Sequence, residues 1–385
     1  MTATPDRRRL LIGAGMALAG GCAGGPFGRS AGGRADWAPT APLAPLRLSA
    51  DRITRITVCT RPFRPAGPRL DAENVDGRRV VHNYGHGGSG WSLSWGCADE
   101  AAGLALSGEP GAVAVIGAGV IGLTTAIRLA ERGARVTIYA ADFPMETRSA
   151  RATGVWSPSS RIALGDAARP DFADRWERWA RVSYAAHHRY AGDAGRSVEF
   201  QPRFALRDAR RAPRTPATRD YMALYRRLRE LTPAWRDVAM GSLPFNAAAA
   251  RGGEELIFNI ATYTERLVRD FRLMGGRLER RTFADRASVL TLPERTIVNC
   301  AGYGAKALWG ADDLAPVRGQ IAWLPAQPEA RYGVYYRGVT ALSRRDGVIV
   351  QQSGPNDDYG YGLEDETPDR DEAETAIATL APLFA

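Results

Sequence analysis

The chain is poor in the residues that hold metal ions and disulfide frameworks. Four cysteines (Cys22, Cys59, Cys97 and Cys300) and four histidines serve 385 residues, and no two cysteines stand in C-x-x-C spacing. That scarcity argues against a structural zinc site and against a disulfide-stapled scaffold. Lysine is nearly absent: Lys306 is the single one among 51 basic residues, so arginine carries the formal charge of +9. No Lys/Arg block with interleaved aromatics occurs, and nucleic acid is not an expected partner. What is present is 45% hydrophobic and 24% charged residues, enough for a sizeable core and for two compact domains.

Residues 1–50 hold six Arg against two Asp, so +4 of the charge belongs to a leader. Arg7-Arg8-Arg9 precedes an apolar run from Leu10 to Ala19, too short to span a bilayer as a stable helix. Asp6 to Leu11 resembles a twin-arginine export signal, with Asp6 where Ser or Thr is usual; such signals carry folded proteins. Ala19-Gly20-Gly21-Cys22 resembles a lipoprotein cleavage box with Ala19 in place of Leu, and ordinary cleavage beside the small residues is the competing reading. The expectation is an exported, periplasmic protein, lipid-anchored if Cys22 is used and cytoplasmic if the leader does not act. Residues 1–22 are then a signal segment and 23–51 a tether rich in Gly, Pro and Ala.

The clearest motif is Ala112-Val113-Ala114-Val115-Ile116-Gly117-Ala118-Gly119-Val120-Ile121-Gly122. An apolar run of strand length meets GxGxxG, residues Leu123 to Ala130 have helical spacing, and a second strand follows at Arg135 to Tyr139. Gly117 permits the tight turn, Gly119 lets the backbone approach a pyrophosphate, and Gly122 lets helix and strand pack closely. The helix N-terminus offers free N–H groups to phosphates. Asp142, just past the second strand, either binds the adenosine ribose or only closes a turn. This loop by itself leaves NAD and FAD both open. Its position is unusual, because some sixty well-patterned residues precede it.

Those residues contain a second glycine-rich strand–loop–helix. Val80 to Tyr84 reads as a short strand. Four glycines then fall within six positions (Gly85, Gly87, Gly88 and Gly90), and a helical stretch runs to Leu106. Such a loop brings backbone close to a flat object or takes positive φ angles. A helix start aimed there stabilises negative charge, as on a reduced flavin; the alternative is an elaborate surface loop. His82 and His86 lack suitably spaced partners for a metal and are expected to pack and hydrogen-bond. Upstream, Pro62 and Pro65 hold Arg64 in an extended segment, which suits bidentate clamping of a carboxylate; a surface arginine is the alternative.

VIGAGVIGL, RPFRP, VVHNYGHGGSGWSLSWGCADEAA, IVNCAGYGAKAL and VRGQI together resemble the D-amino-acid oxidase family over nearly everything after about residue 52. The order differs: the family opens with the fingerprint and ends with the Arg-bearing strand and the HNYGHGG helix, which here come first. The resemblance therefore implies a circular permutation, joined at Leu106 to Gly111. It implies an α/β fold in which a Rossmann-type FAD-binding domain (52–165 plus 283–318) interleaves with an α+β substrate domain (166–282 plus 319–385). Helical patterning at Phe172–Tyr190 and Tyr263–Met274 and strand-like runs at Ile321–Leu324 and Gly347–Gln352 are placed in the latter.

Carried over by the resemblance, Arg64 clamps the substrate carboxylate and Gly88 offers its carbonyl to the amino group. His86, Gly87, Ser89, Gly90, Trp91 and Ser92 line the flavin. Thr147, Arg148, Thr153, Gly154 and Val155 wrap FAD, Ala118, Val120 and Ile121 complete the fingerprint turn, and Gly302 lies near the adenosine. The family's tyrosine-bearing lid has its counterpart in Ser242 to Asn259, which lacks tyrosine; Tyr263 is expected to pack, while Tyr359 and Tyr361 form an aromatic pair in a loop. The implied activity is FAD-dependent oxidation of a D-amino acid to a 2-oxo acid, with oxygen or another acceptor taking the electrons. A flavin dehydrogenase using a quinone or carrier, and a non-catalytic FAD-binding relative, are the alternatives.

Overall fold

The computed structural model describes residues 37–107, 111–209, 215–232 and 234–385. The proposed signal segment, Cys22 and half of the tether lie outside the described residues, as do residues 108–110 of the expected joint.

Fourteen strands are described: β1 (Arg55–Phe63), β2 (Arg69–Val75), β3 (Arg78–Tyr84), β4 (Ala112–Ile116), β5 (Arg135–Ala140), β6 (Val198–Arg207), β7 (Arg236–Val238), β8 (Ala249–Phe258), β9 (Arg277–Arg280), β10 (Thr296–Asn299), β11 (Ala315–Leu324), β12 (Gly333–Tyr336), β13 (Val339–Arg344) and β14 (Gly347–Gln352). Helices are α1 (Gly90–Ala105), α2 (Val120–Glu131), α3 (Phe172–His188), α4 (Ile260–Leu273), α5 (Arg286–Val289), α6 (Ala305–Trp309) and α7 (Arg370–Leu380).

Six strands form the first sheet in the order β2-β3-β10-β4-β5-β9. All neighbours are parallel except β2, which returns antiparallel along β3. Its centre is buried on both faces: Val113 to Ile116 and Ile297 to Asn299 are buried without alternation, as a sheet covered on both sides requires. Because β10 pairs β3 on one side and β4 on the other, the strand before the fingerprint and the fingerprint strand end at the same edge. The covering layer is α1, α2, α3 and α4, whose Trp95, Leu123, Ile127, Trp176, Trp179, Leu267 and Phe271 share one core.

The second sheet has eight strands in the order β1-β11-β14-β13-β12-β6-β8-β7, antiparallel except where β12 meets β6. One face is covered by α7 through Ala373, Ala376, Ile377 and Leu380.

Three expectations are corrected here. The boundary at residue 52 assigns β1 to the cofactor domain, yet β1 pairs with β11 along its whole length and belongs to the second sheet. Residues 166–282 are not all substrate domain: α3 and α4 pack into the core of the first sheet, and β9 extends that sheet beside β5. The stretch compared with a lid contains β8, a strand flanked by β6 and β7, and Phe245 just before it is buried against Phe204 and Tyr332. Tyr263 does pack: it is fully buried in α4.

Tyr263 also closes a buried polar chain. The Trp95 indole N–H donates to Tyr263 Oη (2.9 Å), the phenol donates to His187 Nδ1 (2.9 Å), and His187 Nε2–H donates to the Trp91 carbonyl (3.1 Å). Only a neutral imidazole fits this order of donors. Burial pushes the His187 pKa from 6.5 down to about 3, and burial alone does the same to His86. Unfolding frees both to take up protons at their ordinary pKa, so the fold loses nothing above about pH 6.5 and loses stability progressively below it. Between pH 7.5 and 5 each imidazole is expected to cost about 2 kcal/mol. Urea unfolding of His187→Gln, which cannot titrate, should show a loss over this interval smaller by about 2 kcal/mol than the parent's.

Candidate active site

The site forms where β3, β10 and β4 end together. Gly117 leaves β4 with φ +104°, a conformation closed to most side chains, and a Cβ there would lie 2.6 Å from the Cys300 carbonyl oxygen. Its N–H donates to the Tyr139 carbonyl (2.8 Å), tying the turn to β5. Gly119 starts α2 in extended conformation without a side-chain cap, and Ser149 Oγ accepts from the Val120 N–H (3.1 Å). The helix's open end thus faces a cleft, where its N–H groups and positive dipole end suit phosphates.

Gly117, Ala118, Gly119, Val120 and Ile121 line that cleft, together with Asp142, Thr147, Arg148 and Gly302. The same cleft is walled by His86, Gly87, Gly88, Gly90 and Trp91. Gly87 has φ +52°, and a Cβ on it would run into the Arg161 carbonyl, so this turn is pressed directly against the 157–161 segment. The two glycine-rich turns therefore share one cavity although the sequence separates them.

Six expected cofactor contacts do not line it. Gly122 is used for packing, its Cα facing the Gly117 carbonyl. The Ser89 hydroxyl turns away to the Ser157 and Ser160 carbonyls (3.1 and 3.0 Å), and Ser92 Oγ accepts from the Ser157 N–H (2.7 Å). Thr153, Gly154 and Val155 tie to the second sheet instead: Thr153 Oγ1 donates to Gln351, the Gly154 carbonyl accepts from Phe258 N–H (2.7 Å), and Val155 bridges Ile257.

Arg64 is also misplaced by the sequence reading. Its guanidinium pairs with Asp313 and donates to the Gly67 carbonyl (3.2 Å), and it does not reach the cleft. Arg61 does. It lines the cavity beside Thr60 and Pro62, and its guanidinium lies over Gly319 of the neighbouring strand, where a Cβ would collide with it. Among the described residues the Arg61 guanidinium has no hydrogen-bond or ion-pair partner. A glycine in mid-strand signals close approach of another group; Arg318-Gly319-Gln320 held that signal. Arg148, by contrast, is held by Glu366 (2.7 Å), which also accepts from the Thr60 N–H (2.8 Å).

Among the described residues, two buried polar atoms on the cavity wall lack partners: His86 Nε2 and Asn83 Oδ1. Unpaired buried groups are costly, and a bound dinucleotide with polar edges would satisfy them. Glycine turn, open helix end and orphaned atoms together fit such a cofactor. The family model described as DAO, FAD dependent oxidoreductase, matches residues 112–385. The chain belongs to this family. It is an FAD-dependent oxidoreductase of mixed α/β architecture, with a Rossmann-like sheet for FAD and a separate sheet beside it. β1, β3, α1 and the turn between β3 and α1 lie outside the matched residues yet supply a third of the residues lining the cavity.

Among its relatives, the D-amino-acid oxidase of Rubrobacter xylanophilus is 53% identical over 60 residues, covering 15% of this chain and 18% of that one. The D-amino-acid oxidase of Dictyostelium discoideum is 24% identical over 276 residues, 70% of this chain and 73% of that one. The D-aspartate oxidase of Talaromyces thermophilus is 52% identical over 64 residues, 16% and 17% of the two chains. In the short alignments this chain spans less than a fifth of the relative's length. Of solved structures, iminodiacetate oxidase from Chelativorans is similar at 17% identity and a TM-score of 0.48, over 70% of this chain and 78% of that one.

Proposed function

We propose that this oxidoreductase oxidatively deaminates D-amino acids: amino acid, oxygen and water give a 2-oxo acid, ammonia and hydrogen peroxide. The observation that carries the reading is Arg61, an unpaired guanidinium on the cleft wall within the same cavity as the Gly85–Gly88 turn. A planar cation held by strand pairing is suited to a carboxylate in two-point geometry. The relatives named for D-amino-acid oxidation support the same substrate class.

In this reading Arg61 grips the α-carboxylate and the Gly88 carbonyl accepts from the amino group. Two fixed points leave one orientation of the Cα–H bond, which selects one enantiomer. FAD, when bound, supplies the two-electron acceptor for that bond. Fully buried Phe63 behind the turn and Trp91 beside it keep the reacting end dry. No protein acid or base is needed if the amine arrives neutral, so His86, held neutral by burial, serves as a polar contact. The reading extends to the elements before residue 112: a circular permutation explains their place in the chain, and Arg7 to Ala19 is the export signal of a periplasmic enzyme.

Anaerobic addition of a panel of D- and L-amino acids to the yellow holoprotein tests this. D-amino acids should bleach the flavin absorption near 450 nm, and air should restore it with one equivalent of peroxide. Bleaching by L-enantiomers only, or by none, overturns the reading. Recovery with a quinone or dye but not with oxygen would make it a dehydrogenase.

A further inference from the structure

β1 is an edge strand of the second sheet, and an ion pair rather than another strand covers part of its outer edge. The Thr60 N–H and the Thr60 hydroxyl both donate to Glu366 (2.8 Å each), and the Val58 carbonyl accepts from Arg151 (2.8 Å). Arg151 and Glu366 lie 3.3 Å apart, and Arg148 Nε donates to the other oxygen of the same carboxylate (2.7 Å). Open N–H and C=O groups on an edge strand have to be covered. Here side chains from two distant segments cover them.

One segment follows the second sheet and the other follows the first. Glu366 lies in the connection from β14 to α7, which is fixed to β11: the Gly360 and Asp365 carbonyls accept from the Arg318 N–H (2.8 Å) and Arg318 Nε (3.1 Å). Arg148–Arg151 is a short helical turn after β5. Within it, Ser149 Oγ accepts from the Val120 N–H at the start of α2, and the Ser149 carbonyl accepts from the Trp91 indole N–H (2.9 Å). One carboxylate therefore joins the strand that carries Arg61 to the turn that steadies the starts of α2 and α1. Glu364 makes a second tie two residues earlier, accepting from Tyr303 Oη (2.6 Å). Thr60, Arg61, Arg148 and Tyr303 all line the cleft. Burial raises the Glu366 pKa, but hydrogen bonds from Arg148 and Thr60 outweigh it and hold the carboxyl below its ordinary value, so it is charged at neutral pH. Bonds of this charge-assisted kind are the strong ones.

We infer that Glu366 is a positioning residue, which clasps the strand of the Arg61 clamp to the cofactor side of the cleft and so sets the substrate against FAD. The role given to Arg61 rests on the deamination reading above; the clasp itself rests on the contacts of Glu366. Without Glu366, β1 stays paired with β11 along its whole length, so Arg61 keeps its seat and its grip on a carboxylate. What slackens is the placement of the gripped molecule over the cofactor. Lost orientation lowers kcat, whereas lost grip raises KM.

The test compares Glu366→Ala and Glu366→Gln holoenzymes with the parent and with Glu374→Gln, which breaks an exposed pair on α7 (Arg370–Glu374, 2.7 Å). For the D-amino acid that bleaches the parent fastest, Glu366→Ala should lower kcat per bound flavin by about tenfold or more, with KM within about twofold. FAD release after dilution, followed by flavin fluorescence, should be about tenfold faster. Glutamine keeps an acceptor for the Thr60 N–H without the charge, so Glu366→Gln should fall between alanine and parent in both. It carries both measurements if the alanine variant does not fold. Glu374→Gln should match the parent. Activity that falls only in step with flavin content makes Glu366 merely structural and overturns the inference, as does a raised KM at unchanged kcat or an unchanged release rate; each of these leaves deamination standing. If no D-amino acid bleaches the flavin, deamination falls, and the release rates alone decide the clasp, equal rates overturning it.

Discussion

Arg61→Met is expected to lower kcat/KM for D-amino acids by 10² to 10³-fold or more while FAD stays bound. Methionine keeps much of the aliphatic volume and removes the charge. Removing one partner of a desolvated, hydrogen-bonded charge pair costs about 2–5 kcal/mol, which at ~1.4 kcal/mol per decade is roughly 30- to 5,000-fold. The loss should appear mainly in KM, since the carboxylate is gripped in ground and transition states alike, with some loss of kcat because orientation at Cα slackens. Flavin binding should change little, because the Gly117–Ile121 turn and Asp142, which would hold the phosphates and adenosine, are untouched. Arg64→Met is the control. It breaks a half-exposed pair with Asp313 and is expected to cost no more than about threefold. The reverse pattern, an active Arg61→Met beside an inactive Arg64→Met, would return the clamp to residue 64.

The choice between these two arginines shows where the sequence stops being legible. Both stand in the same five-residue motif, and the two prolines beside them fix φ without saying which way a side chain faces. Facing is decided by pairing: β1 lies against β11 with Cys59 opposite Gly319, and the alternation of a strand then brings Arg61 onto the glycine's face. That partner is at the far end of the chain, so no local pattern reveals it. The first sheet was legible for the opposite reason. Ala112 to Ile116, Val120 to Glu131 and Arg135 to Ala140 are consecutive, periodic and separated by glycine turns, so each element declares itself and its neighbour. α3 and α4 were legible as helices but not as partners of the first sheet, since an apolar stripe says that a face is buried without saying against what. The same gap explains Ser89 and Ser92. Being in the right turn was readable, and the direction of a hydroxyl toward the 157–160 backbone rather than the cleft was not.

Gly117→Ala is expected to yield a folded but colourless protein. The methyl group meets two obstacles. An L-residue at φ +104° costs at least ~1–2 kcal/mol, and the added Cβ would lie 2.6 Å from the Cys300 oxygen and 3.0 Å from its carbon, which are backbone atoms that cannot rotate away. Overpacking of that kind costs about 1–3 kcal/mol. Relief requires β10 to move off β4, and β10 is also bonded to β3, which leads into the Gly85–Gly88 turn. One methyl therefore displaces both walls of the cleft, and FAD affinity should fall by 10² or more. Absorbance at 450 nm per mole of protein after desalting reads this directly, and urea unfolding reads the stability loss. Gly77→Ala separates strain from collision. Gly77 has φ +74° in the turn between β2 and β3, with nothing within 4 Å of an added Cβ. It should lose about 1 kcal/mol and keep its flavin. If Gly117→Ala retained FAD as Gly77→Ala does, then β10 would not be the element that couples the two turns, and the shared cleft on which the Arg61 assignment depends would have to be held together by other contacts.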